Sequence, residues 1–591
     1  MDPLDIHPAK FNTSAVHHTD RMSDVMSYIR GRTDVPLVEE TFGQLLDDTA
    51  ARWPDTEAYL FKRTGARITF ADIQEKANRL AAGLKAIGTG RGDVVAWLIG
   101  HRPEWIYLYF AVAKLGAIAL PFQEARVGRS EEAMNNALKK VLSIVKMGTA
   151  REATGAGVKV LIMGDISGVD QTDGTVPYLC SLFPEVKTTE PGMLQIERLP
   201  ELTGIIMLGD NAAGIGVCSM DEVLKIGSDE KLIAEVTTLQ DQLSCHDTFV
   251  LTFTSGSTGQ PKCAELSTHS VYNSVNFAVK GIGTPSAGKA LYPYLSFHFA
   301  AALPFFIPGC TFVFPASTTP SSVEIMKTIQ EERCHSVATM FVKDFHGLLH
   351  DPHFSEYDLS SLRAVFVTGN ATPKSLLDRA ADVLPEVKVI VSYGLIEFLG
   401  VAAAPSDMIG EGKGATVGKL GPHVEGMGGE IWGRGYNLFK RYRGDEEKTA
   451  KAMAADGWFK TGDLGVLDEH GVLRLFGRIS DMIIRNAYNV HPSVVEAPLS
   501  KHPKVQDVRV VSVPDPASVE EICACIILKE GQSADSEEMK MFCVEIGMVP
   551  IEMPGYFIFV DEFPVVATLR KVDRKKLRLV AMEKLGLTEE T

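Results

Sequence analysis

Net positive charge is missing from this 591-residue chain: 59 Lys and Arg stand against 75 Asp and Glu, a formal charge of −16. That balance excludes a nucleic-acid surface, since phosphate backbones are met by clustered cations, and it requires any anionic substrate to meet a locally positive pocket. Paired cysteines are also missing. The nine cysteines are scattered, and the one close spacing, Cys523 and Cys525, falls in an apolar run; this predicts reduced thiols, and their spacing implies no zinc site. Long apolar runs are few. Residues Met1 to Leu37 are polar, with Asp2, Asp5 and Asp20, and have no h-region, which counts against a secretory signal, as the mixed acidic character does against a mitochondrial presequence. The longest apolar stretch, Trp105 to Phe122, carries Lys114 and Pro121 and suits a buried helix better than a membrane span. The final Glu-Glu-Thr is no peroxisomal tripeptide. A cytosolic protein without a transmembrane segment is expected, with organelle targeting open. Also absent is GxxxxGK[ST], the common phosphate-loop pattern, and His346, His350 and His353 lack an HExxH-like carboxylate, so a solvated helix face is preferred to a metal site there.

What is present is a soluble composition, 45% hydrophobic and 23% charged, long enough for more than one core. From Thr41 to Phe122, helix and strand patterns alternate: a helix started by Thr69 or Asp72 stops at Gly88, Asp93 to Ile99 reads as a buried strand, and Glu104 to Leu115 as a helix. Such alternation predicts an α/β fold. Between Val141 and Gln240, VLIMG and IIMLG read as strands.

The central string is Thr254 to Lys262, TSGSTGQPK, behind the strand-like run Phe249 to Phe253. Two glycines, several hydroxyls and a lysine at a strand end offer free backbone N–H groups, hydroxyl donors and a fixed cation to a polyphosphate, with Pro261 stiffening the exit so that Lys262 is held. A polar surface turn is the alternative. Two further strands end in polar turns: VFVTGNATP, containing Gly369 and Asn370, and VKVIVSYGLIEFLG. Ligands of open α/β sheets sit at such ends, where Tyr393 could stack on adenine, Gly394 admit the base to the backbone, and Glu397 hold Mg2+ against phosphates. Ordinary turns remain open for each end alone. Thr461-Gly462-Asp463 precedes a hairpin turning near Asp468 to Gly471 and closing at Gly477-Arg478. A carboxylate such as Asp463 can accept both ribose hydroxyls, and Arg478 adds a cation near ribose and phosphate.

TSGSTGQPK, YGLIE and TGD, in that order, resemble the strings of the adenylate-forming enzymes, the group of acyl-CoA synthetases, luciferases and peptide-synthetase adenylation domains. The run from Val250 onward is most similar to the medium-chain acyl-CoA synthetases. The resemblance implies a large N-terminal domain of mixed doubly wound α/β subdomains with a small β-barrel-like part, then a small mobile α+β domain. The boundaries expected are a polar extension over 1–37, an AMP-binding domain over 38–479 and a C-terminal cap over 480–591, hinged at Ser480. It further implies that Thr254, Ser255, Gly256, Ser257, Thr258, Gly259, Gln260, Pro261 and Lys262 cradle the phosphates and that Thr258 joins Glu397 at Mg2+. His298, in the aromatic run Leu291 to Phe306 that otherwise reads as core, is placed on the acyl-pocket wall. Lys571 in VVATLRKVDRKKL is the lysine carried over the acyl and phosphate groups by the small domain, where the residues alone read as a solvated basic loop. The implied reaction is that of an ATP-dependent acid–thiol ligase: a hydrophobic carboxylic acid is activated as acyl-AMP and passed to CoA, with a homodimer as an open possibility.

Four positions depart from the family pattern: Ile396 where threonine is usual, Ser480 at the hinge, Ala487 where a glycine lines the CoA-step loop, and Arg570 before Lys571. The stretch His423 to Glu430 is also shorter than the usual hairpin. These departures bear more on thioester formation than on adenylation. Two alternatives therefore stay open, a nucleotide- or acyl-binding pseudoenzyme and an adenylating enzyme with an acceptor other than CoA.

Overall fold

Both faces of the strand Val94–Leu98 are buried, and that double burial gives the plan of the N-terminal part. Val95 and Trp97 face a core shared with the helices Phe42–Arg52, Phe70–Ala86 and Pro103–Lys114 and with Tyr59, Phe61, Phe312 and Phe314 of a second sheet. Val94, Ala96 and Leu98 face a separate core. The structure, a computed structural model, describes residues 25–26, 28–99, 102–122, 157–164, 179–180, 183–189, 194–197, 199–209, 216–254, 262–282, 288–294, 309–317, 320–369, 372, 374–405, 415–468, 470–486, 488–515, 519–566 and 571–588.

The first sheet has eight strands in the order Arg441–Tyr442, Lys262–Ser267, Thr248–Thr254, Ile118–Pro121, Val94–Leu98, Val158–Met163, Gly204–Met207 and Cys218–Ser219. Neighbours from Thr248–Thr254 onward are parallel, whereas Lys262–Ser267 turns back antiparallel. In the 15-stranded second sheet a parallel centre, Lys388–Tyr393, Ala364–Thr368, Ser336–Phe341, Lys289–Leu291, Thr311–Phe314 and Glu57–Phe61, is covered on its other face by the helices Ser322–Glu332, Val342–Leu349 and Lys374–Val383. Helices on both faces of a parallel sheet are the doubly wound arrangement expected.

Local chemistry explains the helix starts. Thr69 caps the helix Phe70–Ala86 and Asp72 returns the bond to the Thr69 backbone, so the two candidate start residues are the two halves of one capping box. Thr41 with Gln44 does the same for Phe42–Arg52. Lys114 is fully buried, and its Nζ lies 2.6 Å from both carboxylate oxygens of Asp47. Burial pulls the Lys114 ammonium below its ordinary range, against the pull of Asp47. Among the described residues no helix is long and apolar enough to cross a membrane.

The expected barrel-like part is corrected in one respect: its strands close no barrel among the described residues. The hairpin Phe459–Asp468 and Val472–Arg478 joins the large sheet through Ala415–Leu420, and on its other side Gly429–Arg434, Glu425–Met427 and Tyr28–Arg30 carry the antiparallel ladder to an edge that is open among the described residues. Each strand has a neighbour in the same twisted sheet, so closure is not required to satisfy the ladder up to that edge. The large sheet's last strand ends at Arg478. Beyond a short turn, Ile479–Asp481, a five-stranded sheet begins at Ile483–Arg485 and packs the helices Pro492–Leu499, Ser536–Glu545 and Arg574–Leu585 into its own cores. This is the small α+β unit. It touches the large sheet where the Ser493 hydroxyl donates to the Phe476 carbonyl, and its Arg574 reaches Asp481 of the connecting turn at 3.6 Å.

Candidate active site

Thr254 ends one strand and Lys262 opens the next, and the two are opposite each other in the antiparallel register. Residues Ser255, Gly256, Ser257, Thr258, Gly259, Gln260 and Pro261 between them lie outside the described residues, as do His298, Asn370, Ala487 and Arg570 and the side chain of Lys571.

Lys262 makes no ion pair with an acid among the described residues. Its Nζ stands 4.7 Å from the ring centroid of Tyr442 and 3.5 Å from the phenol oxygen, a cation over the negative face of an aromatic ring. The Tyr442 hydroxyl in turn donates to Glu397 Oε1 at 2.7 Å. Burial and then Glu397 push the Tyr442 phenol well above its ordinary range, so it stays protonated as the donor. Tyr442 is held by its own edge strand, which pairs with Lys262–Ser267. The anchor is Glu265, 1% exposed, which lies 3.4 Å from Arg441 and 3.3 Å from Arg443, the residues flanking Tyr442, and accepts a bond from the Thr248 hydroxyl. Nothing in the sequence motifs singled out Tyr442. The signal that could have found it is RYRGD before a helix capped by Asp445, a strand-to-helix junction carrying both cations and a phenol.

A second group forms at the end of Lys388–Tyr393. The Tyr393 hydroxyl donates to Asp463 Oδ2 at 2.7 Å, and Arg478 Nε approaches Asp463 Oδ1 at 3.1 Å. Asp463 and Arg478 are cross-strand partners in the hairpin read from the sequence. Burial and then Asp463 raise the Tyr393 phenol well above its usual range. The Arg478 charge is felt by both Tyr393 and Tyr442, so the two groups share one electrostatic neighbourhood. Glycine is required at two points. A Cβ on Gly394 would sit 2.8 Å from the Gly400 nitrogen, and Gly369 has φ +97° with Phe341 2.8 Å from its would-be Cβ.

Ile396 is half-buried and packs against the central core. Ser480 lies in the Ile479–Asp481 turn, its hydroxyl 3.2 Å from Asp481 Oδ1. Lys571 is on a two-stranded hairpin with Val566, outside the sheets that carry the other site residues. The structure therefore brings together Lys262, Glu397, Tyr393, Asp463 and Arg478, adds Tyr442, and leaves Lys571 on a separate element.

Residues 46–443 match the AMP-binding enzyme family, and residues 494–568 match the AMP-binding enzyme C-terminal domain. The medium-chain acyl-CoA ligase ACSF2, mitochondrial, of Bos taurus is 31% identical over 588 residues, covering 95% of this chain and 91% of that protein. Among solved structures, the anthranilate CoA ligase AuaEII in complex with anthranoyl-AMP aligns with a TM-score of 0.74 at 22% identity, over 94% of this chain and 99% of that one. The Mycobacterium tuberculosis fatty acyl CoA synthetase aligns with a TM-score of 0.64 at 23% identity, over 92% and 99%. With the motif strings in family order and the fold in agreement, the chain belongs to the adenylate-forming AMP-binding enzyme family, among its acyl-CoA synthetases.

Proposed function

We propose that this enzyme joins a hydrophobic, fatty carboxylic acid to CoA, driven by ATP. A carboxylate oxygen attacks the α-phosphorus and pyrophosphate leaves; the CoA sulfur then takes the acyl carbon from acyl-AMP, releasing AMP and the thiol proton. The observation that carries this is the convergence of two tyrosine–carboxylate pairs, each with its own cation, at strand ends beside the Thr254–Lys262 turn. Two anions react slowly in water, and preorganised cations with fixed donors offset that repulsion while orientation does the rest. In this assignment the 254–262 segment and Lys262 hold the β- and γ-phosphates, Gly369 and Asn370 border the nucleotide, and Asp463 accepts ribose hydroxyls with Arg478 beside it. Tyr393 and Gly394 border the base, and His298 lines the acyl site.

Glu397 fits Mg2+ by its chemistry: it is a hard oxygen donor, 9% exposed, hydrogen-bonded to Tyr442 and ion-paired with no cation among the described residues. Bound there with Thr258, the ion would screen the phosphate charge. The domain over 480–591 turns about Ser480, bringing first Lys571 and then the Ala487 loop to the acyl group. For location we propose the cytosol. Co-fractionation with mitochondria, where the bovine relative's name puts that protein, would overturn it.

The test is exchange of labelled pyrophosphate into ATP across a panel of carboxylic acids, followed by CoA-dependent consumption of the acyl-AMP. Exchange with fatty acids and AMP release on CoA addition are expected; no exchange with any acid overturns the proposal. In Lys571→Ala, exchange should fall by about 10² to 10³-fold, the scale of one lost preorganised donor. An unchanged rate removes Lys571 from the chemistry.

A further inference from the structure

A second cluster of ligating side chains lies at the opposite end of the strand that leads into the phosphate turn. Cys245 and His246 sit just before Thr248–Thr254, His269 is the second residue of the helix Thr268–Ile282, and Glu39 precedes the cap of the first helix. The backbone joins them, since the His269 N–H donates to the Cys245 carbonyl at 2.9 Å. The side chains converge as well. Glu39 Oε2 is 3.3 Å from Cys245 Sγ and 3.2 Å from His246 Nε2, and Glu39 Oε1 is 3.3 Å from His269 Nε2. One atom each from Glu39, Cys245 and His246 lie mutually within 4.8 Å, and the two imidazole rings are 4.5 Å apart.

We infer that Glu39, Cys245 and His246 form a three-ligand zinc site that leaves one tetrahedral position to solvent. Zinc bonds of about 2.0 to 2.3 Å set tetrahedral edges of roughly 3.3 to 3.6 Å, close to the separations that Glu39 Oε2 makes with Cys245 Sγ and His246 Nε2. A thiolate, an imidazole and a carboxylate make a borderline-soft set suited to Zn2+, and the two negative charges balance the ion. His269, 7% exposed, stands beside the three ligands as a partner of the carboxylate, its Nε2 3.3 Å from Glu39 Oε1. The nearby Lys440 ammonium is directed to the His246 carbonyl at 2.9 Å.

Zinc binding forms the Zn–S bond and releases the Cys245 thiol proton to solvent. The ion would tie Glu39, just before the first helix, to the start of the strand Thr248–Thr254, a structural role outside the ligase chemistry.

The test uses the full chain stripped with a chelator and then dialysed against Zn2+ alone. One zinc per chain, a raised thermal midpoint and, with Co2+ in its place, a thiolate-to-cobalt charge-transfer band in the near ultraviolet are expected. Cys245→Ser should abolish the band and weaken zinc binding by about 100-fold or more, while Cys218→Ser, at a half-buried cysteine elsewhere, leaves both unchanged. Because Cys245 is buried, His246→Ala serves beside it: His246 is largely exposed, so this variant folds and should also lose the stoichiometric zinc. Less than one zinc per chain in the unaltered protein, or undiminished binding in His246→Ala, overturns the site.

Discussion

Two tyrosine–carboxylate pairs share the candidate site, and they are matched in length and different in charge. Tyr442 to Glu397 and Tyr393 to Asp463 are both 2.7 Å. Asp463 also has the Arg478 guanidinium directly on its other oxygen, whereas Lys262 is kept over the Tyr442 ring and off Glu397 by the phenol between them. The charge of Asp463 is thus met within the protein, leaving a carboxylate whose remaining lone pairs suit neutral donors such as ribose hydroxyls. The charge of Glu397 is unmet by any ion pair among the described residues and is available to a cation arriving with the substrate. Under the proposed function, the Asp463 pair would bind and the Glu397 pair would act on charge.

The sharpest way to break this division is to remove each charge while keeping shape. Glu397→Gln retains an oxygen to accept from Tyr442 but cannot oppose a cation; acyl-AMP formation should fall about 10³-fold, or about 4 kcal/mol of transition-state stabilisation. AMP binding, measured by titration calorimetry, should change by less than about 10-fold. Asp463→Asn should give the converse: AMP binding weaker by about 10²-fold, some 2.7 kcal/mol for a charge-assisted bond lost and a guanidinium left without its partner, with pyrophosphate exchange at saturating ATP falling less. If the two variants lose rate and affinity in equal proportion, the division of roles is wrong.

The Asp463–Arg478 half of its group was legible in the sequence because it is local, whereas the Tyr393 hydroxyl reaches Asp463 from 70 residues away. A turn at Asp468 to Gly471 sets the hairpin, and the hairpin sets Asp463 opposite Arg478. Thr69 and Asp72 were legible for the same reason, being one turn of helix apart. The Glu397 pair was only half legible. Its middle member, Tyr442, sits on a two-residue edge strand too short to show periodicity, and it is placed by pairing with Lys262–Ser267 from far earlier in the chain and by the buried Glu265 between Arg441 and Arg443. An ion pair across such a distance leaves no local pattern. The open antiparallel edge was illegible too, because strand order decides between a closed barrel and a continued sheet, and order is not written in any single strand.

A third carboxylate supplies the control that separates folding from chemistry. Asp47 meets Lys114 in the core between the sheets, where Gln74 and Gln240 also donate to it. Asp47→Ala leaves a fully buried ammonium without its partner. Because the Asp47 side chain is itself 32% exposed, the cost is set below that of a fully buried pair, at about 2 kcal/mol in denaturant unfolding. Pyrophosphate exchange per folded molecule should be unchanged.

The smallest effect is the most discriminating. Tyr442→Phe keeps the ring under Lys262 and removes only the bond to Glu397, so exchange should fall about 10-fold, near 1.4 kcal/mol for one hydrogen bond to a charged acceptor. The matching Tyr393→Phe change should act on nucleotide affinity instead, because Arg478 still fixes Asp463. If Tyr442→Phe leaves exchange intact while Lys262→Ala abolishes it, the phenol is a spacer for the ammonium and has no part in orienting Glu397.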